Sequence, residues 1–557
     1  MKRIFKSVFA VASVLLLMTS CTSKFEEMNV SPNSPSADNV NPRNEFLYAV
    51  SRSIAYRNTY QSGEQITIAH FCEYDANSTQ SASDYDMTNN DVAHPWDQSY
   101  SVLSDLNNII RTYEDDTYQY SNVVNMAKIW KCWVMLRVTD FFGDVPYSEA
   151  ASEDSRAPKY DTQEEIYNLM FTQLAEAANA LDASKPNIGS YDLIYSGDVT
   201  KWKKFANSLR FRMAIRIADV ANAKAKTEAA AALAAGMFTS KSDEALMKMG
   251  GTSNSDYTWN PLYYGRNSTH STVHMSSGYY NIVVGLGGVA WPTAADMAAN
   301  KNIQQNIVDA VNPPAMVDPR AVIQFETVGQ RGVQDVTKTG MWRGSEPGHA
   351  NHSTLSGEID GGADYDTNYS AIGTFHYTTC DKPWAIFKYS ELCFLKAIAT
   401  VRGIVNAGDA QAFYEEGIKA DMSDYGIPTS VVNSYITSTV ANKYGTTVAW
   451  SDNAGTCNTS LDKIITQKYI AGFIEGAYEA WSDHRQYHKP TLVPFANVYA
   501  NFQRSQADVD DNTPAAYIKR AYYPANEQTT NAENLAVAVA RMGGDDNVQV
   551  NVWWDVD

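Results

Sequence analysis

Residues 123–150, VVNMAKIWKCWVMLRVTDFFGDVPYSEA, constrain this chain more than any other stretch. The first twenty contain no Gly or Pro. Their apolar side chains, Met126, Ile129, Trp130, Cys132, Trp133, Met135, Leu136, Phe141 and Phe142, would point to every side of a helix. A helix apolar all round belongs inside a large protein. Gly143 is placed to stop it in a left-handed turn, and Pro146 prevents its resumption. The stretch therefore predicts a central helix with a stiff exit loop, serving packing rather than chemistry.

Such a helix needs a body around it, and 557 residues at 44% hydrophobic supply one. The formal charge is −19, and no basic run interrupts the acidic surplus, which repels phosphate backbones and argues against nucleic acid as a partner. Lys2, Arg3 and Lys6 precede an apolar run from Ser7 to Met18. A membrane-spanning helix needs roughly 20 apolar residues, so residues 1–20 read as a signal peptide. They lead into Leu17-Met18-Thr19-Ser20-Cys21, which resembles a bacterial lipobox with Met18 in place of the more usual Leu. That resemblance implies cleavage before Cys21 and acylation of its thiol and new amino group; two or more acyl chains anchor stably where one does not. Thr22 is not the Asp that retains lipoproteins at the inner membrane, and Lys24, Glu26 and Glu27 resemble the acidic tag of surface export. Rich in Pro, Ser and Asn, residues 21–42 read as a lipidated tether to a single domain over 43–557.

From Arg43 to about Gly250 the chain reads as successive helices, with 96–114 and 120–142 as one pair and 161–183 and 198–221 as another. Thr162 and Glu165 fit a capping box. Behind them Ile166, Leu169, Met170, Leu174, Ala177 and Leu181 keep to one stripe, as do Trp202, Phe205, Leu209, Met213 and Ile217 in the next helix. Helix pairs recurring about every 35–45 residues suggest tetratricopeptide-type units. Residues 251–383 change character: Gly, Ser, Asn and Thr are frequent, only 294–311 looks helical, yet aromatics persist. A loop-rich insertion far longer than about 12–15 residues is unusual unless it is functional. Helices return at 384–403, 408–423, 459–483 and near 531–542, and the tail VNVWWDVD alternates like a short extended segment packed on the body. Cys72, Cys132, Cys380, Cys393 and Cys457 are odd in number and form no CxxC, so buried free thiols are expected, with one disulfide as the alternative.

The central helix followed by FFGDVPYSEA resembles the SusD-like (SusD/RagB) nutrient-binding outer-membrane lipoproteins. Further segments resembling that family follow in order: 160–181, 196–219, 388–403, 413–427, 465–490 and 519–534, then Val552-Trp553-Trp554-Asp555. Two positions depart: Ile398 stands where the family usually has Glu, and Gln486 follows Arg485 where a second Arg is common. The resemblance implies a mainly α, tetratricopeptide-like helical repeat scaffold lying as a lid on a SusC-like TonB-dependent barrel transporter. It further implies capture of a nutrient, usually a glycan, by irregular segments away from the repeats, at the Gram-negative cell surface.

Catalytic and cofactor motifs are wanting. No GxxxxGK[ST], strict GxGxxG or GxSxG occurs, and GLGGVA (285–290) runs directly into Trp291-Pro292, where a dinucleotide motif needs a helix. His270/His274 and His484/His488 have i,i+4 spacing but lack a zinc-protease Glu, and Asp84, Asp86, Asn89, Asn90 and Asp91 lack calcium-loop spacing, so neither metal nor cofactor is expected. The expected ligand surface comprises Trp96, Tyr263, Tyr264, Trp291 and Trp342, beside loops of small polar residues, with Asp86, Asn89 and Arg343 for hydroxyl contacts. Flat aromatics cover the C–H face of a sugar while polar groups meet its rim. Trp96 has a second reading, as a plug in the first helix pair. A secreted α-helical glycosidase or lyase, needing a carboxyl pair about 5–9.5 Å apart, and a peptide-capturing protein of the same family are the rival functions.

Overall fold

The computed structural model describes residues 41–54, 67–76, 87–150, 156–250, 259–263, 274–290, 316–325, 344, 370–492 and 517–556. The signal peptide, Cys21, most of the tether and the expected helix at 294–311 lie outside the described residues. The chain is mainly helical and tetratricopeptide-like. Its principal helices are α1 (Pro42–Arg52), α2 (Asn89–Tyr113), α3 (Ser121–Phe142), α4 (Gln163–Ala180), α5 (Val199–Arg216) and α6 (Asn222–Ala235). After the insertion come α7 (Tyr389–Val401), α8 (Ala410–Asp424), α9 (Thr429–Ile436), α10 (Ser460–Ala471), α11 (Ala477–Tyr487) and α12 (Ala532–Arg541). Consecutive helices pack side by side from α2 to α6, α7 packs on α8 and α10, and α5 against α7 joins the two runs.

The all-apolar stretch is the centre, with 19 of the 22 residues of α3 buried. Trp130 stacks on Trp133 at 4.6 Å and meets Trp202 of α5 edge-on at 6.3 Å, while Phe141 meets Trp481 of α11 at 5.7 Å. The exit loop is a hub for distant chain. Ala521 N donates to Phe141 O (2.8 Å), Arg520 Nε to Phe142 O (3.0 Å) and Tyr523 OH to Asp144 O (2.6 Å). Asp140 accepts from Tyr167 OH and from Trp554 Nε1, both at 2.7 Å. Gly143 has φ +88° with ψ −125°, a positive-φ stop outside the left-handed helical well, and a Cβ there would lie 3.0 Å from Met542 Sδ. The end of α3 and its exit loop together satisfy donors from three later segments.

Local signals held where the backbone could be read from its neighbours. Thr162 accepts from Glu165 N (3.2 Å) and Glu165 from Thr162 N (2.9 Å), the expected box. Leu169 departs from its stripe at 39% exposed. At about 100° per residue it lies roughly 100° from the mean direction of the other five positions. Tertiary pairing corrects three further expectations. The stretch 384–403 opens as strand β6 (Trp384–Phe387), because β2 (Ala245–Met247) pairs with it antiparallel. The stretch 459–483 breaks between α10 and α11, where a Cβ on Gly472 would lie 2.9 Å from Tyr74 Oη and Ile474 takes φ +60°. The tail turns instead of extending, with Asp555 N on Val552 O at 3.0 Å, while Trp554 is fully buried. All five cysteines after Cys21 are free thiols. The two departing family positions have structural work: Ile398 is core, and Gln486 Nε2 donates to Ile215 O (3.1 Å) and Arg216 O (3.0 Å), satisfying carbonyls at the end of α5.

A lattice of charges crosses the body where α5, α7, α10 and α11 meet. Arg212 pairs with Glu391 (2.7 Å) and Glu479 (3.5 Å), Arg216 with Glu479 (2.7 Å) and Asp483 (3.8 Å), and Lys468 with Asp483 (2.5 Å). Each ion has at least one opposite partner, the condition for burying it.

Candidate functional site

The insertion is held to the helical body at a small strand patch. Strand β1 (Asp75–Ala76) pairs with β3 (His274–Met275), His274 bridges to Ala371, and Met275 N donates to Ser370 O at 2.8 Å. Ala76 precedes the segment 77–86, His274 follows 264–273, and Ser370 follows 345–369, so three segment ends converge. Gly344 joins them: a Cβ on it would lie 2.4 Å from Ser276 O, a close approach that only glycine allows.

Beneath this patch lies a second ionic cluster. Arg320 donates to Asp318 through Nε (3.0 Å) and a terminal nitrogen (2.8 Å), to Asp421 (2.9 Å) on α8 and to Gln467 Oε1 (2.6 Å) on α10. Tyr435 of α9 hydrogen-bonds Asp318, and Tyr279 OH bonds Gln324, whose amide reaches Tyr425 OH at 3.0 Å. Arg320, Asp318 and Asp421 are all fully buried. Burial lifts the Asp421 carboxyl to about 6, against the pull of Lys388 and Arg320. The cluster fixes the root of the insertion to three helices of the body.

The candidate ligand feature lies nearer the start of the insertion, at 259–263. Asn260, fully buried, accepts from Leu262 N (2.9 Å) and Tyr263 N (3.4 Å), capping a helical turn at 261–263. Its own N donates to Cys380 O (2.8 Å) and its Nδ2 to Lys382 O (3.0 Å), so the returning segment of the insertion holds the turn. The turn sets Trp259 and Tyr263, both half-buried, edge to face at 5.3 Å and 77°. The Trp259 indole N–H has no hydrogen-bond partner among the described residues. Lys382 lies over Phe375 at 3.9 Å and donates to its carbonyl at 3.1 Å; burial brings its ammonium down to about 8. The indole N–H is buried, so what the pair can offer a ligand is the partly open ring surface, suited to an apolar face.

Of the expected contact residues, Tyr263 lies in this pair. Trp96 is corrected: it is 4% exposed, enclosed by Tyr100 (4.7 Å), Phe142 (5.0 Å), Tyr160 (6.3 Å) and Tyr523 (6.1 Å), and serves as the plug of the first helix pair. Asn89 opens α2, where its Oδ1 accepts from Ala525 N at 2.8 Å. Tyr264, Trp291, Trp342, Asp86 and Arg343 lie outside the described residues. Trp259 had not been singled out; its spacing of four from Tyr263 across a turn was the available signal. Among the described residues no group of three or more His, Cys, Asp or Glu could hold a metal, and no helix is long and apolar enough to cross a membrane.

Helix pairs packed side by side define a helical-repeat protein. The family model SusD-like_2, described as starch-binding and associating with the outer membrane, matches residues 32–524. This chain belongs to the SusD-like family. A SusD homolog from Parabacteroides distasonis is 30% identical at a TM-score of 0.80, covering 93% of this chain and 98% of its own. A SusD homolog from Bacteroides uniformis is 26% identical at 0.70, covering 93% and 100%. A chitin-binding SusD homolog from Flavobacterium johnsoniae is 26% identical at 0.70, covering 93% and 99%. No curated protein is a significant match to the chain.

Proposed function

We propose that this protein binds an oligosaccharide at its insertion, without cleaving it, and delivers it to a SusC-like TonB-dependent barrel transporter. Lipid on Cys21 holds it at the cell surface of a Gram-negative outer membrane. The observation that carries the binding reading is the half-buried Trp259–Tyr263 pair, set edge to face on a turn clamped by Asn260. Membership in a family described as starch-binding and a chitin-binding homologue of the same fold support a glycan as the ligand. Isothermal titration of the mature protein with chitohexaose, maltoheptaose and a wider glycan panel tests it. Binding should be detected, the ligand should be recovered intact, and Trp259→Ala or Tyr263→Ala should weaken binding about tenfold, as expected for aromatic anchors. Cleavage of any glycan would favour the glycosidase or lyase. Tight binding of peptides alone would favour peptide capture.

A further inference from the structure

The turn that carries Trp259 and Tyr263 hangs on two carbonyls of one short segment, Cys380 O and Lys382 O. That segment has little regular structure of its own. Between the bridge of Ile372 to Phe325 and the start of β6 at Trp384, residues 377–383 lie in neither helix nor strand, and Thr378, Thr379, Asp381 and Pro383 are exposed. Exposed irregular chain opens locally at little cost, so carbonyls fixed well enough to set a pair of rings need a tie. Lys382 supplies one. Its Nζ reaches back to donate to Phe375 O (3.1 Å) and lies 3.9 Å from the centroid of the Phe375 ring. Phe375 in turn lies against Tyr425, at the end of α8, with ring centroids 5.1 Å apart. One side chain thus closes 375–382 into a loop and fastens it to the body.

We propose that Lys382 is a positioning residue for the glycan site: its ammonium, seated on Phe375, fixes the carbonyls that orient the Trp259–Tyr263 pair. It acts through the backbone of the turn, and its bearing on affinity rests on the function proposed above. Contact of a cation with a ring requires the protonated amine. Burial presses Lys382 to release its proton, and Glu475, in the bend between α10 and α11, resists. Lys388, before α7, adds to the pressure, and Asp424, at the end of α8, resists. His376, beside Phe375, is kept neutral chiefly by its own burial. The ammonium therefore titrates near 8. Raising the pH through that value takes the cation off the ring and loosens the loop that holds the turn.

Hydrogen–deuterium exchange of the ligand-free mature protein near pH 7 tests the positioning. Lys382→Met keeps the stem and loses the charge; the Leu262 and Tyr263 amides that donate to Asn260 should then exchange about tenfold faster, and Lys382→Arg should restore their protection. Isothermal titration with whichever of chitohexaose and maltoheptaose binds reads the consequence. Lys382→Met should weaken binding about fivefold, less than Trp259→Ala. Wild-type affinity should fall by a similar factor between about pH 7 and 9, while Lys382→Met stays weak and flat and Lys382→Arg, charged throughout, stays tight. Lost packing alone does not produce that pattern, and the wild-type profile needs no variant to fold. Unchanged exchange in Lys382→Met, or a wild-type affinity indifferent to pH across 8, would overturn the role given to Lys382. No glycan binding by the wild type would instead overturn the function proposed for the insertion, and the ligand-free exchange would still decide for or against Lys382.

Discussion

The lattice inside the helical body and the cluster beneath the insertion are built from the same groups, yet Glu479 in the one and Asp421 in the other are moved in opposite directions. Burial raises both Glu479 and Asp421. In the lattice, Arg212, Arg216 and Lys468 then bring Glu479 down to about 2. Glu391 shares Arg212 but lacks the second guanidinium, and burial leaves it raised. In the cluster, Arg320 divides itself between Asp318 and Asp421, and the nearest further cation, Lys388, stands 3.7 Å from Asp421, which stays at about 6. Each of these carboxyls has two ion-pair partners, but Glu479 feels Lys468 and Arg137 as well as its two arginines, whereas Asp421 feels Lys388, Arg320 and the opposing carboxylate Asp424.

Arg320→Leu should have the largest effect, about 3–5 kcal/mol off the urea-unfolding free energy, because it leaves Asp318 and Asp421 buried without their guanidinium. Arg216→Leu should cost clearly less: Glu479 keeps Arg212, and Asp483 keeps Lys468 at 2.5 Å. Equal losses would break the comparison.

Acid titration sharpens it. Folded Glu479 lies below its unfolded value near 4.3, so its stabilisation of about 2–3 kcal/mol is present above that value and lost as pH falls from about 4 to 2. Folded Asp421 lies above its unfolded value near 3.9, so the native state keeps a proton that the unfolded chain has released. Stability from this group therefore declines by about 2–3 kcal/mol as pH rises from about 4 to 6. In urea midpoints measured against pH, Glu479→Gln should remove the acid-side loss. Asp421→Asn should gain on the wild type as pH rises through that window. Parallel slopes for the two variants would contradict the opposite shifts.

Two smaller effects contrast long-range with local order inside the body. Gly143→Ala should cost about 1–3 kcal/mol, since alanine strains at φ +88° and its Cβ meets Met542. Thr162→Ala should cost about 1 kcal/mol through the lost cap of α4. Thermal melts of the two variants order them; a costlier Thr162→Ala would reverse the contrast.

That ordering matches what could be read from the chain. The α4 cap, the α5 stripe and the all-apolar α3 are local patterns, and all three appear as expected. The ionic clusters are not local: Arg216 and Glu479 are 263 residues apart and Arg320 and Asp421 are 101 apart, and each reads alone as an ordinary surface charge. Strand β6 was hidden for the same reason, since its apolar run becomes a strand only when β2 lies beside it. At the candidate site, Tyr263 was singled out by its surroundings of small polar residues. Trp96 had similar surroundings but is closed off by Phe142 and Tyr523, brought from elsewhere in the chain. Trp259 escaped notice because Asn260, which sets its angle to Tyr263, is anchored by Cys380 and Lys382 across the whole insertion.

The central claim is a division of labour, with the helical body as scaffold and the insertion as ligand surface. Hydrogen–deuterium exchange of the mature protein, with and without whichever of chitohexaose and maltoheptaose binds, tests it most directly. Protection is expected at 259–263 and along the returning segment at 370–383, with α2 to α5 unchanged. Protection confined to α2–α5, with 259–263 unaltered, would contradict it.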